Sequence, residues 1–586
     1  MKPHNIHYDV RFNTPETHLF ELECHIAHPA VEGQRVSLPA WLPGSYLVRD
    51  FARHIVSIRA TSNGKAIKLE KIDKSSWQAG PCTSPLTIHY QVYAYDLSVR
   101  TAYLDHARAY FNGSSVFLQV TGQEESSCSV TIHHPAGKTY ADWQVATTLP
   151  GRKTDKQGFG LYEAAHYQAL IDYPVEIGTL AIAEFKAMGI PHRLVISGKH
   201  QADLKAISRD LKKICEHHIR FFGDAPFQRY DFLLYAAADN QYGGLEHCDS
   251  TSLICPRSWL PVKHEEHDPS LYQDFLGLCS HEYFHAWHVK RIRPVAFAKP
   301  DLSREAYTRL LWVFEGFTAY YDTLALVRSG LMTESEYLAA LSKDINRFLR
   351  TPGRRIQALE ESSFDAWVKL YKPDENTPNS QISYYLKGSL VALAMDLSLR
   401  LKQRSLDDVM RTLWQRYRNH EQLVNEGSMQ ALIAEVCGEK LASLFRDCVQ
   451  GCEDPPLEKL LSRFGIIFTA DKINDADLLR EHLGLQLAND ETRITHVFSN
   501  GAAEQAGLAA GDVIIAHDHL KASAKSLKQQ LKRHRKQLHL HFFRRDELLS
   551  TDIFPRKHAL AHYRLAISEK QKPEQRTLRQ DWLATN

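Results

Sequence analysis

The run His281-Glu282-Tyr283-Phe284-His285 has the residue types and spacing needed for metal-assisted hydrolysis. On a helix, residues four apart lie ~40° apart around the axis and ~6 Å apart along it, so both imidazoles can reach one ion. Imidazole nitrogens in a tetrahedral set suit zinc. Glu282 then projects beside them as a general base for a water whose pKa zinc lowers to about 7. The apolar flanks at 275–280 and 284–289 suit a helix packed in a core, where two unliganded histidines would be costly.

A third ligand is available about thirty residues downstream. Glu315 lies in Leu310-Leu-Trp-Val-Phe-Glu-Gly-Phe-Thr-Ala-Tyr-Tyr, and a carboxylate in so apolar a helix must be paired or metal-bound. The competing reading is a salt bridge to Arg291 or Arg293. His288 shares a helical face with His285, but three residues is a strained spacing for the same ion, so it reads as a supporting or substrate-facing residue. The expected metal centre is therefore one zinc ion per chain on His281, His285 and Glu315, with Glu282 as base.

These residues need a scaffold, and the chain offers one in segments. With 586 residues, about three or four domains are expected. Residues 1–175 alternate short β-rich runs with turn signals, the pattern of a β-sandwich-like domain. Over 176–468, strand-like runs and a helical stretch near 202–222 lead into long helical periodicities at 310–329, 334–349 and 388–401. Sheet followed by helical bundle is an α+β layout. Residues 469–560 form a small β-rich module with tight turns at Gly507 and Gly511, and 561–586 read as a polar tail or terminal helix.

Composition narrows the partners. A net charge of +2 gives no global reason for a nucleic-acid or membrane partner. The basic run at 521–536 lacks interleaved aromatics and reads as a solvated helix face. No stretch approaches the ~18 apolar residues of a membrane span, and the N-terminus lacks the apolar core of a secretory signal. The ten scattered cysteines, with no Cys-x-x-Cys pair, suit buried free thiols in a reducing compartment, so a cytoplasmic location is expected.

Taken together, the motifs resemble a gluzincin metallopeptidase, and more closely the glycyl aminopeptidase family, metallopeptidase family sixty-one, whose members carry a C-terminal PDZ domain. The resemblance rests on Pro39-Ala-Trp-Leu-Pro-Gly-Ser-Tyr, Gly243-Gly-Leu-Glu-His, His281-Glu-Tyr-Phe-His-Ala-Trp-His-Val-Lys-Arg-Ile-Arg-Pro, Trp312-Val-Phe-Glu-Gly-Phe-Thr-Ala-Tyr-Tyr, Tyr384-Tyr-Leu-Lys-Gly and the C-terminal glycine turns. It implies a thermolysin-like catalytic domain and a PDZ-like module at 469–560. It departs at His288, where the family usually has Asn.

The resemblance also implies roles on the substrate side. Gly243 and Gly244 would let the substrate backbone approach an edge strand, with Glu246 holding the free α-amino group. Tyr385 would donate to the tetrahedral oxyanion, although Tyr384 is adjacent and helix phase cannot decide between them. A preference for N-terminal Gly or Ala would accompany it, with a shallow first-residue pocket. Leu483-Gly484-Leu485 resembles the carboxylate loop of a PDZ domain, so the module either captures a peptide or packs on the peptidase domain.

The leading expectation is a zinc aminopeptidase acting on peptides with a free N-terminus. The alternatives are a zinc endopeptidase recruiting proteins through the C-terminal module, and a non-catalytic scaffold with a structural metal site. A structural site has no use for Glu282.

Overall fold

The computed structural model describes residues 4–584, apart from 239, 420–423, 440, 472, 474, 490–491 and 557–561. Strict alternation of buried and exposed residues in Ile6–Arg11, Leu19–Ile26 and Leu86–Tyr93 makes these strands one-faced. They sit centrally in an eight-stranded sheet whose edges are Gly151–Thr154 and Lys65–Ile67. Its apolar face meets two four-stranded sheets, as where Phe20 packs edge-on to Phe111 at 5.5 Å, and the domain is a sandwich in the expected sense. The strand Val175–Gly178 still belongs to it, pairing with Arg108–Phe111 and carrying Glu176 into a buried bidentate ion pair with Arg108 at 2.6 and 2.7 Å. The expected boundary at 175 therefore moves past Gly178.

The second domain begins with a five-stranded mixed sheet in the order Ala181–Ala187, Ile190–Ser197, Tyr230–Ala237, Ser250–Pro256, Gly243–Glu246. The last is an edge strand, antiparallel to its neighbour, with Gly244 opposite Leu253 and Glu246 opposite Thr251. A helix at Leu204–Phe222, capped by Asp203, packs beneath the helix Pro269–Phe284 that carries the histidines. That motif helix starts with Asp268 as N-cap and Pro269 at the first position, a favoured pairing of cap and φ-restricted residue. It ends at Phe284, earlier than the apolar pattern to 289 suggests, because the chain turns so that the His288 carbonyl accepts from His285 Nδ1 at 2.7 Å.

Two further helices complete the frame, Leu311–Arg328 with Glu315 and Tyr384–Arg400 with the tyrosine pair. They cross at glycine: a Cβ on Gly316 would lie 2.6 Å from Gly388 Cα, so only two glycines permit this approach. The segment between the motif and Glu315 helices is clasped by the N-terminal domain. Trp41 Nε1 donates to the carbonyls of Asp301 and Arg304 at 3.1 and 2.7 Å, and Ala40 N to Leu302 O at 2.7 Å.

The C-terminal module has its own core around Leu483, Leu485, Ile514, Leu527 and Leu540. It contains a four-stranded sheet, a two-stranded one (Leu485–Leu487 with Ile494–Val497), and helices Leu478–Leu483 and Ala524–Lys532. The expected boundary at 560/561 lies outside the described residues. The chain beyond it is no solvated tail. Tyr563–Ile567 pairs antiparallel with Ile466–Ala470, and the helix Pro573–Leu583 buries Trp582 against the catalytic helices. Of the two expectations, polar tail or terminal helix, the second holds, and one indole and two arginine contacts anchor the helix: Arg328 donates to the Trp582 carbonyl at 3.0 Å and Arg579 pairs with Glu334.

Candidate metal centre

The motif helix and the Glu315 helix bring three side chains to one point. Glu315 Oε2 lies 3.5 Å from His281 Nε2 and 3.3 Å from His285 Nε2, and these ligand-type atoms all lie within 4.8 Å of one another. A tetrahedron of ligands at ~2.0–2.1 Å has edges of about 3.3 Å, so the donor set fits zinc in type and spacing. Both imidazoles have their other nitrogen engaged, His281 Nδ1 with Asp322 Oδ2 at 3.0 Å and His285 Nδ1 with the His288 carbonyl. That pattern sets the tautomer and turns the Nε2 lone pairs toward the shared point. Glu315 Oε1 is held separately, accepting from the Tyr46 hydroxyl at 2.9 Å.

The salt-bridge alternative for Glu315 is not what the structure contains. Arg291 pairs with Asp249 at 3.1 Å and donates to the carbonyls of Pro226, Cys248 and Ala286. His288 does not join the triad. Its ring lies buried 4.7 Å from Phe314, and burial lowers its pKa to about 3, so it stays neutral. Its contribution to the centre is its backbone carbonyl.

Glu282 is 5% exposed, and its Oε2 has no hydrogen-bond partner among the described residues. Burial raises its pKa above the ordinary carboxylate range, against the pull of His281 and His285. Burial would raise Glu315 likewise, but the charge of His285 and hydrogen bonds from both histidines bring it below that range. Two neighbouring carboxylates are thus driven in opposite directions.

The edge strand sits against this group. A Cβ on Gly244 would lie 2.0 Å from Glu282 Oε1, so Gly244 makes room for the Glu282 carboxylate. Arg100 of the N-terminal domain donates to the Gly244 carbonyl at 2.9 Å. Glu246, two residues along, has a carboxylate oxygen within 4.8 Å of atoms of Glu282 and His285. Its Oε1 is buried with no hydrogen-bond partner among the described residues. Gly44 covers it at φ +90°, where a Cβ would be 2.6 Å from that oxygen. Glu246 also borders a cavity of about 260 Å³ between the 42–46 loop, Ile171, Val289 and Phe297.

Across the site, the Tyr385 ring is 6.2 Å from that of His281, half-buried, with its hydroxyl 3.1 Å from that of Tyr371. Tyr384 is fully buried, stacked on Tyr385 and edge-on to Tyr46, its hydroxyl unpartnered among the described residues. Burial raises the Tyr385 pKa well above its ordinary value, so it remains a phenol that can donate.

Sequence reasoning brought together the metal triad, Glu282, Glu246 and Tyr385, and overlooked Asp322, Tyr46, Tyr371, Arg100 and Gly44. Asp322 was findable, since it lies two helical turns beyond Glu315 and so on the same face. Tyr46 and Gly44 lie inside the Pro-Gly-Ser-Tyr run, but only the fold carries them across 200 or more residues to Glu315 and Glu246.

Residues 7–179 match the peptidase M61 N-terminal domain and residues 274–391 match M61 glycyl aminopeptidase. The chain is similar to an aminopeptidase N family protein from Idiomarina loihiensis of solved structure, with 39% identity, 99% of this chain and 100% of that one covered, and a TM-score of 0.93. An M1 zinc metallopeptidase from Deinococcus radiodurans is a remote neighbour, at 15% identity over 78% of this chain and 96% of that one, with a TM-score of 0.47. No curated protein gives a match. Among the described residues, no helix is long and apolar enough to cross a membrane. With both M61 domains matched and a full-length relative at 39% identity, the chain belongs to the M61 glycyl aminopeptidase family of peptidases.

Proposed function

We propose that the protein is a zinc-dependent aminopeptidase that hydrolyses the first peptide bond of peptides with a free N-terminus. The observation that carries this reading is the placement of Glu246, an unpaired buried carboxylate beside Glu282 and the His281–His285–Glu315 triad. The chemistry that zinc supplies when bound by that triad is Lewis acidity toward the scissile carbonyl and toward water. Glu282 takes the proton of the attacking water and returns it to the leaving amine, a role suited to its raised pKa. Tyr385 donates to the oxygen on which charge develops. Glu246 holds the substrate ammonium one residue's length from the reacting carbon, which limits cleavage to the first bond.

The cavity beside Glu246 offers more room than a Gly or Ala side chain needs, so this reading extends to larger first residues. We read the C-terminal module as PDZ-like and as docked on the peptidase domain, supported by Asn379 bonding both Val497 O at 2.8 Å and Ser499 N at 2.9 Å. The cysteines of the described chain are all free, which supports a reducing compartment such as the cytoplasm.

Matched peptides with free and acetylated N-termini test the assignment. Turnover of free peptides only, lost with Glu246→Gln, is expected. Equal cleavage of blocked peptides would make the protein an endopeptidase.

A further inference from the structure

A second group of metal-type side chains lies far from the peptidase centre, on the outer face of the eight-stranded sheet. Three adjacent strands put it in register: His7 stands opposite His25, Asp9 opposite Glu23, and Glu23 opposite His89. Alternate residues of these strands (Ile6, Tyr8, Val10, Leu22, Cys24) are core, so the pleat commits all five side chains to the same outer surface. His133, just past the neighbouring strand Cys128–Ile132, joins from the other side.

The side chains converge on Asp9. Its Oδ2 lies 3.1 Å from His25 Nε2 and 3.3 Å from His7 Nε2, and its Oδ1 lies 2.5 Å from His133 Nε2. Glu23 Oε2 is 3.3 Å from the same His25 nitrogen, while its Oε1 meets His89 Nδ1 at 3.0 Å. One ligand-type atom each from Asp9, Glu23 and His25 lie within 4.8 Å of one another, the same measure that gathers the peptidase triad.

The far nitrogens are held by hydroxyls, His7 Nδ1 by Ser129 Oγ at 2.8 Å and His25 Nδ1 by Thr87 Oγ1 at 3.0 Å. A hydroxyl can accept from Nδ1–H, which leaves the Nε2 lone pair directed at the centre. The side chain of Asp9 is 13% exposed and that of His25 37%, so the acid is shielded while an ion from solvent has access. Arg11 touches the group as well, 3.4 Å from Asp9 and 3.6 Å from Glu23 with its side chain 34% exposed, and a bound cation would take its place beside the two carboxylates.

We propose that Asp9, Glu23, His7 and His25, with His133 at the rim, form a second binding site for a divalent transition metal of zinc type, independent of the peptidase centre. Mixed imidazole and carboxylate donors at these separations select such ions over magnesium or calcium, which want an all-oxygen shell. The peptidase chemistry does not need this site, and its loading consolidates the sheet by tying strands together.

The test uses the chain without a histidine tag, stripped with chelator and titrated with Zn²⁺ and with Co²⁺ at about pH 7.5. The unaltered protein is expected to hold about two equivalents, and H281A/H285A about one, which D9A/H25A added to that background removes. D9A/H25A in the unaltered chain should keep peptidase activity and lose about one equivalent, and added to H281A/H285A it should abolish the thermal stabilisation that Zn²⁺ gives that variant. H7A offers a milder variant should D9A/H25A fail to fold. A chain that binds no metal once His281 and His285 are gone would overturn the proposal, as would an equivalent that survives D9A/H25A in the H281A/H285A background. Failure of the peptidase reading looks different: H281A/H285A would then bind as much metal as the unaltered chain.

Discussion

The Glu282 carboxylate occupies the space into which a side chain on Gly244 would grow, 2.0 Å from the position of a Cβ there. An edge-strand glycine thereby decides where the proposed general base can stand. Gly244→Ala should push the carboxylate out of line and lower kcat by ~10²–10⁴-fold, comparable to Glu282→Gln. Metal content should be unchanged in both, measured by elemental analysis beside steady-state rates. Full activity in Gly244→Ala would show that the base has another seat.

Asp322 orients His281 through its Nδ1, so its loss should be felt in metal affinity more than in fold. Asp322→Ala is expected to weaken zinc binding by ~10–100-fold, read by competition with a chromophoric chelator. Activity at saturating zinc should largely return.

The two adjacent tyrosines are predicted to separate cleanly. Tyr385→Phe removes the hydroxyl of the ring that lies 6.2 Å from that of His281 and should cost ~10²–10³-fold in kcat with little change in melting temperature. Tyr384→Phe removes a buried, unpartnered hydroxyl and should leave kcat nearly intact. The reverse ranking would exchange their roles.

The C-terminal helix is structural. Trp582 is fully buried, its indole donates to the Tyr320 hydroxyl at 2.9 Å, and that hydroxyl donates to Asp396 at 2.6 Å. Trp582→Ala should destabilise the protein by ~3–5 kcal/mol in chemical denaturation. A stability unchanged by this substitution would mean the helix is not docked in solution.

Three buried histidines should make the fold less stable in acid. Burial lowers His192 to a pKa of about 4, His217 to about 3 and His218 well below its ordinary value. Below ~6.5 the unfolded chain takes up protons that the native state refuses, so stability falls as pH falls from there toward the folded values. Each histidine adds up to ~1.4 kcal/mol per pH unit, and H281A/H285A protein, which lacks the two metal-site rings whose raised pKa acts in the opposite sense, should show the loss by denaturant melts at about pH 7 and 5.5. Equal midpoints would mean these rings are charged or exposed.

Much of the centre was legible from sequence because its parts are short-range. The four-residue interval of His281 and His285 is one helical turn, and an isolated acid in the apolar run around Glu315 must have a partner, so both come from local geometry and desolvation. The β-rich start and helical middle were readable from side-chain period. For the polar C-terminal stretch the sequence left tail and terminal helix open, because a helix with few buried apolar residues leaves little apolar pattern to read, and the structure has the helix.

The tertiary structure alone decided the contacts between residues with no sequence proximity. Tyr46 reaches Glu315, Gly44 covers Glu246, and Gly316 meets Gly388, each pair on separate elements. Glycine roles in particular are invisible in a single sequence, since a missing side chain says nothing about which atom fills its place. The residue types and intervals specified which chemistry was available. The packing of the edge strand, the two crossing helices and the N-terminal loop brought Glu282, Glu315 and Glu246 to one place and gave each its own burial and neighbouring charge, which residue type and interval do not set.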